Sequence, residues 1–380
     1  MRHSLSLGEI QFYWRMVREP KKEACDIPAF LPFELSFDEN LQLFRQVPNP
    51  AVVENLEKVY RHDYNVGYLQ DGHALAEGYA NDFIDFLLRH LIPSTPASIL
   101  EIGCGGGYLI DKIKETGQYK LYGIDPSPIA AKKFANSEVR LIQSFFPSSD
   151  FQEKVDAIIH YDVLEHTLDP VLFLKQQQTN LTDRGIVCFA VPDCTPYIGT
   201  GDVSMVLHEH INYFDADSLS RTVQAAGFSD IVVNRSNHGG VLYCYAQVGS
   251  KADNKKGVNT AKFVDFCNKF KKTKNKIEQL VYHHHEAGKS LGFYVPLRAM
   301  PYISHLRTFP FRFFDDDPGI HGKYFDGFDI PVESLDDMKQ KPVDTVVIMS
   351  TSFGKQIIAR IEAQLQETVS PILLESLLEP

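Results

Sequence analysis

The spacing of hydrophobic residues changes its character near Ala97. Before that point, "NPAVVENLEKVY" is typical of a capped helix, and "HALAEGYANDFIDFLLRHLI" places apolar residues at helical spacing. After it, short apolar runs alternate with amphipathic stretches. "ASILEIGCGGGYLIDKIKETG" predicts a strand, a glycine turn and a helix, and "YKLYGIDPSPIAAKKFAN" repeats that order. This alternation predicts a parallel sheet covered by helices on both faces.

The alternation ends and later resumes, which predicts two α/β domains. "SLSRTVQAAGFSDIVVNRSNHGGVLYCYAQVG" predicts one more helix and the two strands of an antiparallel edge hairpin. A lysine-rich stretch then leads into a long helix, after which strands and helices alternate again. The predicted division is a mixed N-terminal segment (1–75), an α/β domain (76–250), a linker with the long helix (251–290) and a smaller Rossmann-like α/β domain (291–380).

Composition and charge narrow the class of protein. The net charge of -11 argues against a nucleic-acid-binding face, although a local pocket for a phosphate-bearing small molecule stays possible. Neither a signal peptide nor a membrane-spanning apolar run is predicted, so we expect a cytoplasmic protein that does not contact a membrane. The six cysteines are scattered, which argues against a disulfide framework or a cysteine zinc site. The oligomeric state cannot be predicted.

The first candidate for chemistry is a glycine-rich turn with an acidic partner. "LEIGCGGG" places Gly103, Gly105 and Gly107 directly after an apolar strand, where backbone amides can approach a ligand closely. By itself the turn could be purely structural. Asp125, however, ends the next apolar strand, where its carboxylate could accept hydrogen bonds from ribose hydroxyls.

"ILEIGCGGG" and "LYGIDPS" together resemble motifs I and II of class I S-adenosylmethionine-dependent methyltransferases. The resemblance implies the doubly wound sheet of that class, S-adenosylmethionine (SAM) as cofactor and S-adenosylhomocysteine as product. In that family the glycine turn wraps the methionine part of the cofactor, the acidic residue holds the ribose, and residues after the third strand line the adenine. The cofactor-binding residues implied by position are Glu101, Gly103, Gly105, Gly107, Asp125, Ser144, Phe145, Tyr161 and Asp162.

The second candidate is "VLHEHINYF" at residues 206–214. A helical H-E-x-x-H metal site needs a second histidine where this chain has Asn212, so that motif fails. In an extended segment His208 and His210 would share one face, but we predict no metal. A general base is the alternative: methylation at carbon requires removal of a C–H proton, and histidine suits that role near neutral pH.

"HEHINYF", "NHGGVLYCY" and "FFDDDPGIHGKYFDGFDIPVESLDD" resemble the C-methyltransferases of deoxysugar pathways, which methylate the carbon beside the ketone of nucleotide-linked 4-keto-6-deoxysugars. The resemblance implies that His210 is the base and that Glu209 orients or charges it. It also implies that His166 and Tyr64 steady the substrate or the enolate oxygen. A nucleotide-diphosphate sugar is the implied partner, and the implied substrate-binding residues are Asn237, His238 and Gly239.

The chain departs from that family at several points. It lacks the four cysteines of the family's N-terminal zinc domain, because Cys25 is the only cysteine before residue 100. Leu207 replaces the first tyrosine of the Y-H-E-H motif, and Val241 replaces a serine after "HGG". The C-terminal domain opens with "GFYVPLRA" instead of G-Y-G-A. These differences leave the substrate open.

Two other functions remain open. The same fold could carry an N- or O-methyltransferase, which needs a weaker base or none. It could also be a non-catalytic module that binds SAM or a nucleotide sugar. Each site residue also has a structural alternative: a helix cap for His166, an ion pair for Glu209, a backbone-bonded buried histidine for His210 and a core position for Tyr64.

Overall fold

A computed structural model describes residues 3–13, 16–18, 27–61, 74–91, 97–249, 257, 259–365 and 368–378. The described residues form two compact units. One is drawn from Ser36–Thr195 and Glu209–Asn259, and the other from Met1–Leu35, Pro196–His208 and Thr260–Pro380. We call them the methyltransferase-like unit and the C-terminal unit. Tyr64 and Cys25 lie outside the described residues.

The elements are numbered along the chain. The strands are β1 (Ser4–Gln11), β2 (Met16–Val17), β3 (Phe30–Asp38), β4 (Leu43–Gln46), β5 (Ser98–Ile102), β6 (Lys120–Ile124), β7 (Arg140–Ile142), β8 (Val155–Tyr161), β9 (Leu181–Pro192), β10 (Asn212–Tyr213), β11 (Phe228–Arg235), β12 (Val241–Val248), β13 (Leu291–Tyr294), β14 (Phe311–Phe314), β15 (Tyr324–Phe325), β16 (Val332–Glu333), β17 (Thr345–Ile348) and β18 (Ser370–Leu373). The α-helices are α1 (Pro50–Arg61), α2 (Ala74–His90), α3 (Tyr108–Thr116), α4 (Pro128–Phe134), α5 (Pro170–Gln178), α6 (Thr195–Thr200), α7 (Ala216–Ala225), α8 (Ala261–Glu286), α9 (Pro296–Ile303), α10 (Leu335–Gln340), α11 (Gly354–Leu365) and α12 (Leu374–Leu377). Short 3-10 turns lie at Leu164–His166, Val203–Met205 and Ser304–Leu306.

The methyltransferase-like unit is built on a seven-stranded sheet with the order β11-β12-β9-β8-β5-β6-β7. Strands β7, β6, β5, β8 and β9 run parallel to one another. Strand β12 is antiparallel to β9, and β11 is antiparallel to β12, so these two strands form the predicted edge hairpin. The predicted class I methyltransferase sheet is therefore confirmed.

Apolar residues of this sheet supply two cores, one on each face. Along β5, Leu100 and Ile102 pack into one core, and Ile99 packs into the other. Strands buried on both faces explain the continuous apolar runs in the sequence. Helices α4 and α5 begin where the sequence supplies a polar cap followed by proline: Ser127 accepts from Ala130 N, and Asp169 accepts from Leu172 N.

The C-terminal unit contains a five-stranded parallel sheet with the order β16-β14-β13-β17-β18. Its core includes Tyr294 and Phe314 on the strands and Ile357 and Ile361 on α11. The smaller α/β fold predicted for this part of the chain is confirmed. The long helix α8 has 26 residues.

The two units are discontinuous in sequence, whereas the predicted domains were consecutive. Residues from the N-terminal stretch up to Leu35 cluster with Thr260–Pro380, and Pro196–His208 joins them. The predicted boundaries near residues 75, 250 and 290 stay a prediction. In the described part of the chain, no helix has the length and apolar character needed to cross a membrane.

A buried histidine makes the stability of the methyltransferase-like unit sensitive to acid. His160 in β8 is fully buried, and its ring stacks on Phe189 with centroids 4.5 Å apart. Burial lowers the pKa of His160 from 6.5 to about 3. The unfolded chain therefore binds this proton below pH 6.5, whereas the folded chain stays neutral down to pH ~3, so stability is lost as the pH falls through that window.

We expect His160→Phe to lose less stability in acid than the wild type. Between pH 7 and pH 4 the wild type should lose about 3 kcal/mol more of its free energy of unfolding than the variant, measured by urea unfolding. If the free energy of unfolding of the two proteins fell equally between pH 7 and pH 4, His160 would not be the group that causes the loss of stability in acid.

Candidate functional site

The glycine turn links β5 to α3 in a backbone conformation that favours glycine. Gly103, Gly105 and Gly107 have φ angles of 74°, 43° and 78°. Gly103 N–H donates to Ile124 O over 2.8 Å, which ties the turn to the end of β6. The turn therefore lies at the carboxyl edge of the sheet, where ligands of doubly wound sheets bind.

Asp125 holds this turn together. Its carboxylate accepts a hydrogen bond from Gly105 N at 2.8 Å and another from Ser127 N at 2.7 Å. The side chain is buried, and it lies near the carboxylate of Glu101. Burial and the Asp125 charge raise the pKa of Glu101 well above its usual range. Two acidic groups thus lie beside the turn, and their role in binding the cofactor stays a prediction.

The other predicted cofactor residues follow the neighbouring strands. Ser144 and Phe145 come after β7, and Ile142 at the end of that strand accepts from Asp125 N at 3.1 Å and from Ser144 N at 2.9 Å. Ser144 is half-buried and Phe145 is exposed. Tyr161 ends β8, and its ring packs edge-on against Phe83 with centroids 5.4 Å apart.

Asp162 lies between the end of β8 and the 3-10 turn that carries His166. It has a positive φ of 54°, a conformation that non-glycine residues rarely adopt. Burial and the nearby Glu209 carboxylate raise the pKa of Asp162 to about 7. The next residue, Val163, packs so closely on the glycine turn that a Cβ added at Gly103 would meet Val163 Cγ2 at 2.7 Å.

Gly103→Ala should therefore disturb both the fold and the cofactor turn. The new methyl group would overlap Val163, and the φ of 74° strains any residue with a side chain. We expect a loss of about 1–3 kcal/mol in unfolding free energy together with weaker SAM binding. Urea unfolding and calorimetric titration measure these effects. Gly199→Ala is the control, because its added Cβ meets nothing within 4 Å.

His166 and His210 lie together beside a buried carboxylate. Their rings are edge-on with centroids 5.0 Å apart. His166 Nδ1 donates to Glu209 O at 2.9 Å, and its Nε2 lies 3.7 Å from Glu165 Oε1. Burial lowers the pKa of His166, an effect that the Glu209 charge opposes, whereas burial and Asp162 raise that of Glu165 well above its usual range.

Backbone and amide hydrogen bonds hold the two histidine segments side by side. Ile211 N–H donates to Glu165 O at 2.7 Å. The side-chain amide of Asn212 donates to Thr167 O at 2.7 Å, and its oxygen accepts from Arg45 Nε at 3.0 Å. Asn212, the residue that breaks the H-E-x-x-H motif, thus serves to position the segment that carries His210.

His208 belongs to a different environment, which corrects the idea that it shares a face with His210. A turn at His208 and Glu209 interrupts the extended geometry that this pairing requires. In the C-terminal unit the His208 ring is buried between Phe12 and Phe33, with Nε2 3.1 Å from Leu31 O. It is a core histidine bonded to a backbone carbonyl.

The predicted substrate residues form the turn between β11 and β12. Asn237 donates to Asp82 of α2 through both its backbone N and its Nδ2, at 3.0 and 2.6 Å. The His238 ring packs edge-on against Tyr79, and Gly239 has a positive φ of 72°. The amide of Asn237 is therefore bonded to α2, and a substrate-binding role for this turn stays a prediction.

Glu165 is the site residue that the sequence analysis missed. The signal was present in "VLEH", where a carboxylate precedes His166 just after a buried strand. A glutamate in that position is equally typical of a solvated turn. Only the folded structure shows that it is buried and faces His166.

Comparison with known proteins agrees with this geometry. Residues 73–233 match the family model described as a methyltransferase domain. Together with the sheet order and the glycine turn, this match identifies the segment as a class I methyltransferase domain. Such a domain is an enzyme domain with SAM as its methyl donor.

The similar proteins differ in the acceptors that their names give. The tRNA U34 carboxymethyltransferase of Psychromonas ingrahamii is 28% identical over 164 residues, covering 39% of this chain and 48% of that protein. The ubiquinone biosynthesis O-methyltransferase of Albidiferax ferrireducens is 26% identical over 121 residues, covering 29% of this chain and 46% of that protein. The chain thus spans about half the length of these relatives.

A solved structure is similar to part of this chain. The 1,6-didemethyltoxoflavin-N1-methyltransferase of Burkholderia thailandensis, crystallised with S-adenosylhomocysteine, aligns with a TM-score of 0.40 and 16% identity. The alignment covers 62% of this chain and all of that one.

Proposed function

We propose that the protein is a SAM-dependent C-methyltransferase that methylates the carbon beside the ketone of a nucleotide-linked 4-keto-6-deoxysugar. The observation that carries the proposal is the pairing of His166 with His210 in a unit that also holds the glycine turn and Asp125. The close packing of Val163 on Gly103 joins the two regions.

The chemistry requires a base and a group that stabilises an enolate. In this proposal His210 removes the proton alpha to the ketone, and the Glu209 charge favours the imidazolium that forms. The carbanion then attacks the sulfonium methyl group in line, and S-adenosylhomocysteine leaves. His166, whose ring proton is bonded to Glu209 O, holds the substrate by accepting a hydrogen bond at Nε2. Tyr64 steadies the substrate or the enolate oxygen. A fixed polar group at that oxygen lowers the energy of the developing charge.

Other acceptors are alternatives on the same domain. O-methylation, which the name of one similar protein suggests, and N-methylation both need little more than alignment of the acceptor with the methyl group. A tRNA acceptor, suggested by other relatives, is disfavoured by the net charge of -11, because tRNA binding needs a basic face. We therefore propose a small nucleotide-linked molecule as the methyl acceptor, and no nucleic acid.

A methyl-transfer assay in heavy water tests the proposal. The protein is incubated with SAM and a panel of nucleotide-linked 4-keto-6-deoxysugars, and the products are analysed by mass spectrometry and NMR. We expect a new C–CH3 group, with deuterium entering the alpha carbon of unreacted substrate. Methylation at oxygen or nitrogen without exchange would instead assign the enzyme to the O- or N-methyltransferases.

A further inference from the structure

The carboxylate of Glu165 is buried and lies close to the His166 ring. It is 1% exposed, and neither carboxylate oxygen has a hydrogen-bond partner among the residues that the structure describes. Burying an ionised carboxylate without hydrogen bonds or an opposite charge costs several kcal/mol of folding free energy. A bound proton or a bound cation would remove that cost.

The ring nitrogen of His166 that faces this carboxylate is an acceptor as well. A carbonyl oxygen can only accept, so the hydrogen bond between His166 Nδ1 and Glu209 O places the proton of the neutral ring on Nδ1. Nε2 of the neutral ring therefore presents its lone pair 3.7 Å from Glu165 Oε1. That separation is too long for a hydrogen bond. Two ligands of one tetrahedral ion stand roughly 3.4 Å apart, so a small shift would bring both atoms into a coordination sphere.

His210 supplies a third ligand atom in the same space. One ligand atom from each of Glu165, His166 and His210 lies within 4.8 Å of the other two. The carboxylates of Asp162 and Glu209 lie close enough to act electrostatically on Glu165. The hydrogen bond from His166 Nδ1 to a carbonyl is the bond that a metal-ligating histidine makes through its other nitrogen.

We propose that Glu165, His166 and His210 bind one divalent transition-metal ion. Two imidazoles and one carboxylate select ions such as Zn²⁺, Fe²⁺ or Co²⁺ over Mg²⁺ and Ca²⁺, which prefer oxygen ligands. A metal on His210 occupies the lone pair that would accept the substrate proton. Metal binding and methyl transfer therefore exclude each other. This exclusion rests on the proposed function, whereas the metal site itself does not.

Metal binding is tested on the full chain without SAM or substrate. The metal-free protein is titrated with CoCl2 by visible absorption and with ZnCl2 by calorimetry. We expect one ion per chain at the tight site and a d–d band of bound Co²⁺. Glu165→Gln and His166→Asn should each weaken binding by about 100-fold, as loss of one of three ligands predicts.

Controls separate this site from surface histidines and from unfolding. His283 and His285 are exposed on α8, and the double variant His283→Ala/His285→Ala should keep the tight site. At a zinc concentration that fills only the tight site, zinc should raise the melting temperature of the wild type and leave that of Glu165→Gln unchanged. Unchanged affinity in Glu165→Gln, or no Co²⁺ band in the wild type, would overturn the metal site and leave Glu165 as a protonated acid.

A separate measurement, the rate of methyl transfer at increasing zinc occupancy, tests whether bound metal prevents methyl transfer. With the substrate that the heavy-water assay identifies, the rate should fall in proportion to zinc occupancy and recover when a chelator is added. The rate of Glu165→Gln should not respond to zinc. Faster transfer with zinc would refute the exclusion and the role of His210 as base, with the metal site intact. Metal binding without turnover on any keto-sugar would refute only the proposed function.

Discussion

Replacing His210 with asparagine is expected to lower kcat for methyl transfer to a keto-sugar by roughly 10²–10⁴-fold. Asparagine retains polarity and similar size but cannot accept the alpha proton. Deuterium exchange into the substrate should fall by the same factor, because exchange and methylation share the deprotonation step. The measurement is single-turnover methyl transfer by mass spectrometry, with exchange followed by NMR in heavy water.

Two observations distinguish loss of a base from general damage. SAM affinity should stay within about twofold of the wild type, because the predicted cofactor residues come from the glycine turn and the strands beside it. His283→Asn, the same change at an exposed position on α8, should leave the rate unchanged. If His210→Asn retains exchange and loses less than about tenfold in rate, the base lies elsewhere, and His210 is a binding residue.

The cofactor turn could be predicted from the sequence because its signals are local. An apolar strand, three glycines at alternate positions and an acidic residue at the end of the next strand all lie within one β-α-β segment. The φ angles of Gly103 and Gly107 need glycine, and the Asp125 carboxylate bonds the backbone of Gly105. Each of these features follows from backbone chemistry that neighbouring residues set.

The histidine cluster could be predicted only in part, because tertiary contacts assemble it. The 3-10 turn with Glu165 and His166 and the segment with His210 are distant in sequence, and the bond from Ile211 N to Glu165 O joins them. The hydrophobic pattern of the sequence does not indicate that this hydrogen bond forms. The resemblance singled out His166 and His210, but the burial of Glu165 and the bridging role of Asn212 depend on how the two segments meet.

The composition of the C-terminal unit could also be predicted only in part, because it combines segments that are distant in the sequence. Its sheet could be predicted from apolar runs such as "DTVVIMSTSF", in which every residue of β17 is buried. Strand β1 instead alternates exposed and buried residues over most of its length, as a strand with one solvated face does. Such a pattern predicts a strand but not its partner, so the sequence could not assign these residues to the C-terminal unit.

Asp125→Ala is expected to raise the Kd for SAM by about 100-fold. The carboxylate has two predicted roles: it would accept hydrogen bonds from the ribose hydroxyls, and it holds the turn through Gly105 N and Ser127 N. Losing charge-assisted bonds of this kind costs about 1.5–3 kcal/mol, and 1.4 kcal/mol is tenfold in Kd. Asp125→Asn, which keeps one acceptor oxygen, should lose about tenfold. Calorimetric titration measures both, with the exposed Asp150→Ala as the unaffected control. Near-normal affinity in Asp125→Ala would show that the ribose is held elsewhere and that Asp125 only shapes the turn.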